Sequence, residues 1–200
     1  IEQLHVDMIK AAKKFIYYEN QYFTSGRIAA AIAERLNEDD PPEFIMVMPE
    51  KGDGWLEQKA MDGARVMLVR EISKAKHGDR FHVYTPRTAK GENIYVHAKV
   101  TIMDDQLLRI GSANLNNRSM GLDSECDVTI DCGLPANREA SPAIRRLRES
   151  LLAEHLNIDA EQVRDRYDEC ASILQLIEEF RGEGRSLEWL HLEEPGSLDE

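Results

Sequence analysis

Two short runs, Phe15-Ile16-Tyr17-Tyr18 and Phe44-Ile45-Met46-Val47-Met48, carry no charged side chain at any position. Successive side chains of a strand leave opposite faces, so runs of this kind are at ease only in a sheet covered on both sides. The surrounding stretches change period and supply the cover. Leu4, Met8, Ala11 and Ala12 recur at helical spacing over about residues 2–14, and Ile28, Ile32 and Leu36 mark a second helix. Leu56, Ala60, Ala64, Leu68 and Ile72 share one face of a long third helix. Asp53, in the Gly52-Asp53-Gly54 loop, stands where it can cap that helix, which stops near Gly78.

From Phe81 the period drops to two. Phe81-His82-Val83-Tyr84 reads as a short strand and residues 94–103 as a longer one. Residues 107–112 return after a tight Asp104-Asp105-Gln106 turn, as a hairpin does, and Asp127-Val128-Thr129-Ile130 is a last strand. Ser141-Pro142 reads as a cap followed by a first-turn proline, opening a helix through Leu147 and Leu151. Asp159 and Gln162 form a capping-box pair before one more helix carrying Val163, Tyr167, Cys170, Leu174 and Ile177, closed by Gly182 and Gly184. The acidic tail from Glu193 is expected to fray. The fold class predicted is α/β: a mixed β-sheet flanked by helices on both faces, with extra C-terminal helices. Residues 1–156 are expected to form the main domain, and residues 157–200 a helical appendage with an acidic tail.

Composition narrows the function. A net charge of -12 disfavours tight, sequence-independent binding to a polyphosphate, which needs clustered Lys and Arg, so no nucleic-acid partner is expected. Cys126, Cys132 and Cys170 lack metal-ligand spacing and are odd in number, which fits a reducing compartment without a disulfide framework. No apolar run approaches a membrane span. The chain opens at Ile1 and runs straight into a helical pattern, as a fragment of a longer polypeptide would.

The chemistry concentrates in Val96-His97-Ala98-Lys99-Val100-Thr101-Ile102-Met103-Asp104, an H-x-K-x4-D pattern continued six residues later by Gly111-Ser112-Ala113-Asn114. His97 and Lys99 are two apart on a predicted strand, so their side chains leave the same face, and Asn114 returns beside them after the hairpin. An imidazole, an ammonium and an amide gathered at one point suit a phosphate. Lys99 and Asn114 donate to non-bridging oxygens, and His97 attacks phosphorus or protonates the leaving oxygen. The short pattern alone would arise by chance in about one chain in a hundred at average residue usage; the added G-S-x-N at fixed spacing makes coincidence a poor account.

These residues resemble the phospholipase D superfamily, whose signature H-x-K-x4-D-x6-G-S-x-N is matched at every fixed position. Ile16-Tyr17-Tyr18-Glu19-Asn20-Gln21-Tyr22-Phe23 is similar to the segment preceding the second motif in phosphatidyl-hydrolysing members. Asn116-Asn117-Arg118-Ser119 and Asp123-Ser124-Glu125 also resemble the C-terminal catalytic half of those enzymes, including bacterial transphosphatidylases. The resemblance implies one of two pseudo-symmetric halves and a phosphohistidine intermediate, with neither metal nor cofactor in most members. It implies His97 as general acid/base, Glu125 as the carboxylate on its far nitrogen, Ser112 beside Lys99 and Asn114 at the phosphate, and structural roles for Asp104 and Gly111. Only one H-x-K is present, so the second half of the site must come from an N-terminal region or a homodimer partner. The implied substrate is a phospholipid met at a membrane surface, and the implied location is cytoplasmic or at the cytoplasmic membrane surface. Cardiolipin synthase-like transfer and a dimeric endonuclease of the same superfamily are the alternatives.

Glu19, Asn20 and Gln21 are expected to line the site at the end of the first strand. Trp55, next to its glycines, reads as a core anchor, with a mobile lip over a lipid headgroup as the alternative. His5, His77, His82, His155 and His191 share no ligand spacing and read as surface or satisfied residues. Arg145, Arg146 and Arg148 read as a solvated helix face paired with Glu149, with contact to anionic lipid as the alternative.

Overall fold

A computed structural model describes residues 1–50, 55–182 and 184–190. Asp53, the side chain of Trp55 and the tail from Glu193 lie outside the described residues. Seven strands form one mixed sheet in the order β6-β5-β4-β1-β2-β3-β7. Its parallel heart is β1 (Phe15–Asn20), β2 (Glu43–Val47) and β3 (Phe81–Arg87). Helix α2 (Gly26–Leu36) links the first two and α3 (Trp55–Ile72) the next two. The hairpin β4 (Lys99–Met103) and β5 (Leu107–Gly111) joins antiparallel to β1, and β6 (Asp127–Asp131) forms the edge. At the opposite edge β7 (Ser186–Trp189) pairs antiparallel with β3, a strand the period-two reading did not include.

The apolar runs split between two cores, as alternation dictates. Ile16, Tyr18, Phe44 and Met46 pack under α1 (Glu2–Ala11), α2 and α3. Phe15, Tyr17, Ile45 and Val47 pack under α5 (Ser141–Leu156), α6 (Ala160–Cys170) and α7 (Ile173–Phe180). The short α4 (Asn117–Gly121) lies between β5 and β6 in sequence. The expected appendage therefore supplies one cover of the sheet: Val163, Tyr167, Ile173, Leu176, Ile177 and Leu187 are buried in the same cluster as Phe15 and Tyr17. Among the described residues no helix is long and apolar enough to cross a membrane.

Three local expectations need correcting. The strand expected over 94–103 begins only at Lys99, because β1, its ladder partner, ends at the facing residue Asn20. Val96 is buried without a ladder, which produced the alternating pattern. The single helix expected from Val163 to Ile177 is two, broken where Ala171 takes a left-handed φ of 52°. The next helix restarts at Ser172, whose hydroxyl accepts from the Gln175 amide. The Glu43 carboxylate also accepts from the Ser172 hydroxyl and from the amides of Ile173 and Leu174, so the α7 terminus is held onto β2. Finally, Ala140 rather than Ser141 is the cap of α5.

Candidate active site

The H-x-K-x4-D segment is fastened at both ends. Asp104 and Asp105 both take positive φ, 54° and 56°, and the Gln106 amide closes on the Met103 carbonyl (2.8 Å), a tight turn within the three-residue connection that pairs Met103 with Leu107. The Asp104 carboxylate then accepts from three successive amides, Lys13 (2.7 Å), Lys14 and Phe15 (both 2.9 Å), and so ties the turn to the start of β1. Asp105 takes a bidentate pair from Arg148 (2.8 Å each), which is fully buried and lies over the ring of Tyr167. Arg148 is thus part of the core, not of a solvated face. Arg145 does pair with Glu149 and also with Asp168.

At the other end of β4, Lys99 faces Asn20 across the ladder. Its Nζ, 7% exposed as a residue, donates to Gln21 Oε1 (2.9 Å) and to the His97 carbonyl (2.9 Å). Burial lowers its pKa below the usual lysine value, and the negative charge of Glu125 partly offsets this. Asn114 arrives by a stitched loop. Phe23 and Leu115 form an isolated parallel bridge, the amides of Thr24 and Ser25 donate to the Leu115 carbonyl (2.8 and 3.0 Å), and Asn20 Oδ1 accepts from the Leu115 amide (3.2 Å). Asn114 Nδ2 consequently reaches Gln21 Oε1 as well, at 3.4 Å.

His97 lies just before β4, exposed, with its ring stacked on Tyr95 (centroids 6.3 Å apart, planes at 19°). Glu125, half-buried, accepts from the Ser112 hydroxyl, which in turn accepts from the Cys126 amide (3.0 Å). Lys99, Asn114, Gln21 and Asn20 therefore meet at one end of the sheet. His97 joins them through its carbonyl, and Glu125 with Ser112 forms a neighbouring pair. Glu19 turns away: strand alternation sends it to the other face, where it accepts from the Tyr17 hydroxyl (2.7 Å) and meets His155 Nε2 (3.0 Å).

Gly111 has a steric reason to be glycine. A Cβ there would fall 1.7 Å from Asp127 Oδ1 and 2.7 Å from the Asp127 Cα. That approach lets Asp127 meet Arg109, which is fully buried (2.7 Å). The pair brackets Ala113: Arg109 donates to its carbonyl (3.0 Å) and Asp127 accepts from its amide (3.3 Å), which sets the loop that presents Asn114. Sequence reasoning missed this clamp. The available signal was a charged residue at an inward position of a hairpin strand, since Arg109 faces Thr101 and shares its side of the sheet. His5 also departs from expectation. It is fully buried, and neither ring nitrogen has a hydrogen-bond partner among the described residues.

The Phospholipase D family model matches residues 24–181. Phospholipase D1 of Schizosaccharomyces pombe is 26% identical over 216 residues, spanning 83% of this chain and 16% of the relative. Phospholipase D B of Dictyostelium discoideum is 31% identical over 164 residues, covering 63% and 13%. The chain therefore spans less than a fifth of these relatives' length. Among solved structures, the phospholipase D family member Nuc from Salmonella typhimurium aligns with a TM-score of 0.47 at 21% identity, covering 64% of this chain and 72% of that one. A phosphatidylserine synthase from Haemophilus influenzae aligns at 0.49 and 18%, covering 71% and 34%. With a family match over most of its length, on a mixed sheet that gathers the signature's lysine and asparagine at one end, this chain belongs to the phospholipase D family.

Proposed function

We propose that the chain supplies one half of a two-motif phosphodiesterase site that hydrolyses, or transfers, the phosphatidyl group of glycerophospholipids at a membrane surface. One observation carries the reading: the ammonium of Lys99 and the amide of Asn114 converge on a single oxygen, that of Gln21, 2.9 and 3.4 Å away. The exposed His97 ring is connected to that group through Tyr95, on which it stacks and whose hydroxyl accepts from Gln21. Two donors aimed at one oxygen from a partly desolvated position suit the charge that develops on a phosphoryl oxygen.

In the proposed reaction a histidine of the second half attacks phosphorus and the bond to the departing alcohol breaks. His97 gives its proton to that alkoxide. His97 then takes a proton from water, or from an acceptor alcohol, whose oxygen displaces the phosphohistidine nitrogen. Lys99 and Asn114 hold the non-bridging oxygens through both steps, with Ser112 beside them. Glu125 supports the imidazolium, as a carboxylate partner does in other histidine acid–base pairs. Asp104 and Gly111 build the frame. The second half comes from a longer polypeptide or from another copy of the chain. The test is release of choline or ethanolamine from phosphatidylcholine or phosphatidylethanolamine vesicles by the full-length protein. His97→Ala should lower the rate by at least a hundredfold, the scale of a lost acid–base group. Undiminished release refutes the reading.

A further inference from the structure

Gln21 already holds the position assigned above to a phosphoryl oxygen. Its Oε1 accepts from both Lys99 Nζ and Asn114 Nδ2, while its Nε2 donates to the hydroxyl of Tyr95, whose ring stacks on His97. The amide orientation is set by chemistry: Lys99 Nζ and Asn114 Nδ2 are donors, so only an oxygen can face both. Gln21 is 8% exposed, so this is an interior contact rather than a chance surface one. Resting on the proposed function, we infer that Gln21 is an internal stand-in for the substrate's phosphoryl oxygen, latched by Tyr95, and that substrate must displace it to reach Lys99 and Asn114.

The arrangement has a chemical rationale. Without an acceptor, the buried ammonium of Lys99 would keep only the His97 carbonyl, and an under-satisfied buried donor is costly. The latch satisfies it with a neutral amide, which a charged phosphoryl oxygen outcompetes because the ammonium then meets an opposite charge as well as an acceptor. Tyr95, 45% exposed, sits between this latch and the His97 ring, so release of Gln21 and freedom of the imidazole are linked through one phenol.

The sign of a binding change tests this. A supporting residue loosens the site when removed, whereas an internal competitor leaves it more open. Inorganic phosphate is titrated calorimetrically into the intact protein and into its Gln21→Ala and Tyr95→Phe forms. Removing a competitor held by about one net hydrogen bond should tighten phosphate binding about three- to tenfold in Gln21→Ala, and by less in Tyr95→Phe. Unchanged or weaker binding in Gln21→Ala, or no binding in either form, overturns the inference even where His97→Ala abolishes turnover. Tighter binding with a harmless His97→Ala would leave the latch standing and the proposed reaction refuted. Should Gln21→Ala fail to fold, the wild-type side-chain amide resonances decide. Those of Gln21 and Asn114 should move together on adding phosphate, and a static Gln21 signal rejects the latch.

Discussion

Replacing His5 should flatten the acid sensitivity of the fold. His5 lies on α1 above Tyr18, ring centroids 6.1 Å apart, and is fully buried. Burial is the main reason its pKa falls from 6.5 to about 3; the Arg109 guanidinium adds to the fall and Asp127 opposes it. The unfolded chain takes up this proton near pH 6.5, whereas the folded chain does so only near pH 3. Between those values the unfolded state binds more protons, so stability is lost as pH falls through the window. At about pH 5 the unfolded imidazole is roughly 1.5 units below its pKa, and each unit is worth about 1.4 kcal/mol, giving a loss of about 2 kcal/mol relative to neutral pH. The figure hardly depends on the folded value once that lies below about 4. Urea denaturation of wild type and His5→Leu at about pH 8 and pH 5 reads the difference directly, because the remaining titrating groups are common to both. Wild type should lose about 2 kcal/mol more than the variant. Equal losses would show that the imidazole is not held neutral in the folded core.

Asp104→Ala strips the acceptor from three consecutive amides and should destabilise the fold by about 2–4 kcal/mol, measured by denaturant unfolding, because charge-assisted bonds at the start of a central strand vanish together. Gly111→Ala places a methyl 1.7 Å from Asp127 Oδ1, so β5 and β6 must part. A loss of about 3 kcal/mol by thermal unfolding is expected, with phosphate binding weakened because the clamp on Ala113 opens.

How far the sequence revealed this molecule depends on how far apart the partners lie along the chain. Lys99, Asp104 and Gly111 were legible together because one hairpin carries all three, and a hairpin's register follows from its turn. His97 and Asn114 lie just outside that hairpin, and what sets them was less legible. The two-sided burial of β1 and β2 was legible for a similar reason, since alternation alone decides which core each side chain enters. The division of α6 from α7 was not, because apolar spacing continues across Ala171 and only its left-handed turn breaks the axis. Nor was β7, a four-residue edge strand whose pairing comes entirely from β3.

The groups that hold the site's geometry were hidden by a related circumstance. Gln21 meets Lys99 across 78 positions and Glu19 meets His155 across 136. No local period encodes such a meeting. Arg109 and Asp127 are nearer in sequence, but their pairing depends on the bare Gly111 between the strands, a steric vacancy with no side-chain signature of its own. The signature residues touch the phosphate in the proposed reaction, so chemistry constrains their identity. The residues that aim them are constrained by distance, which the order of residues states only where the chain folds straight back on itself. Gln21 belongs to both groups. Its place after a central strand predicts nearness to the site, but its use as an acceptor for the phosphate-binding donors follows only once Lys99 and Asn114 are seen to share one oxygen.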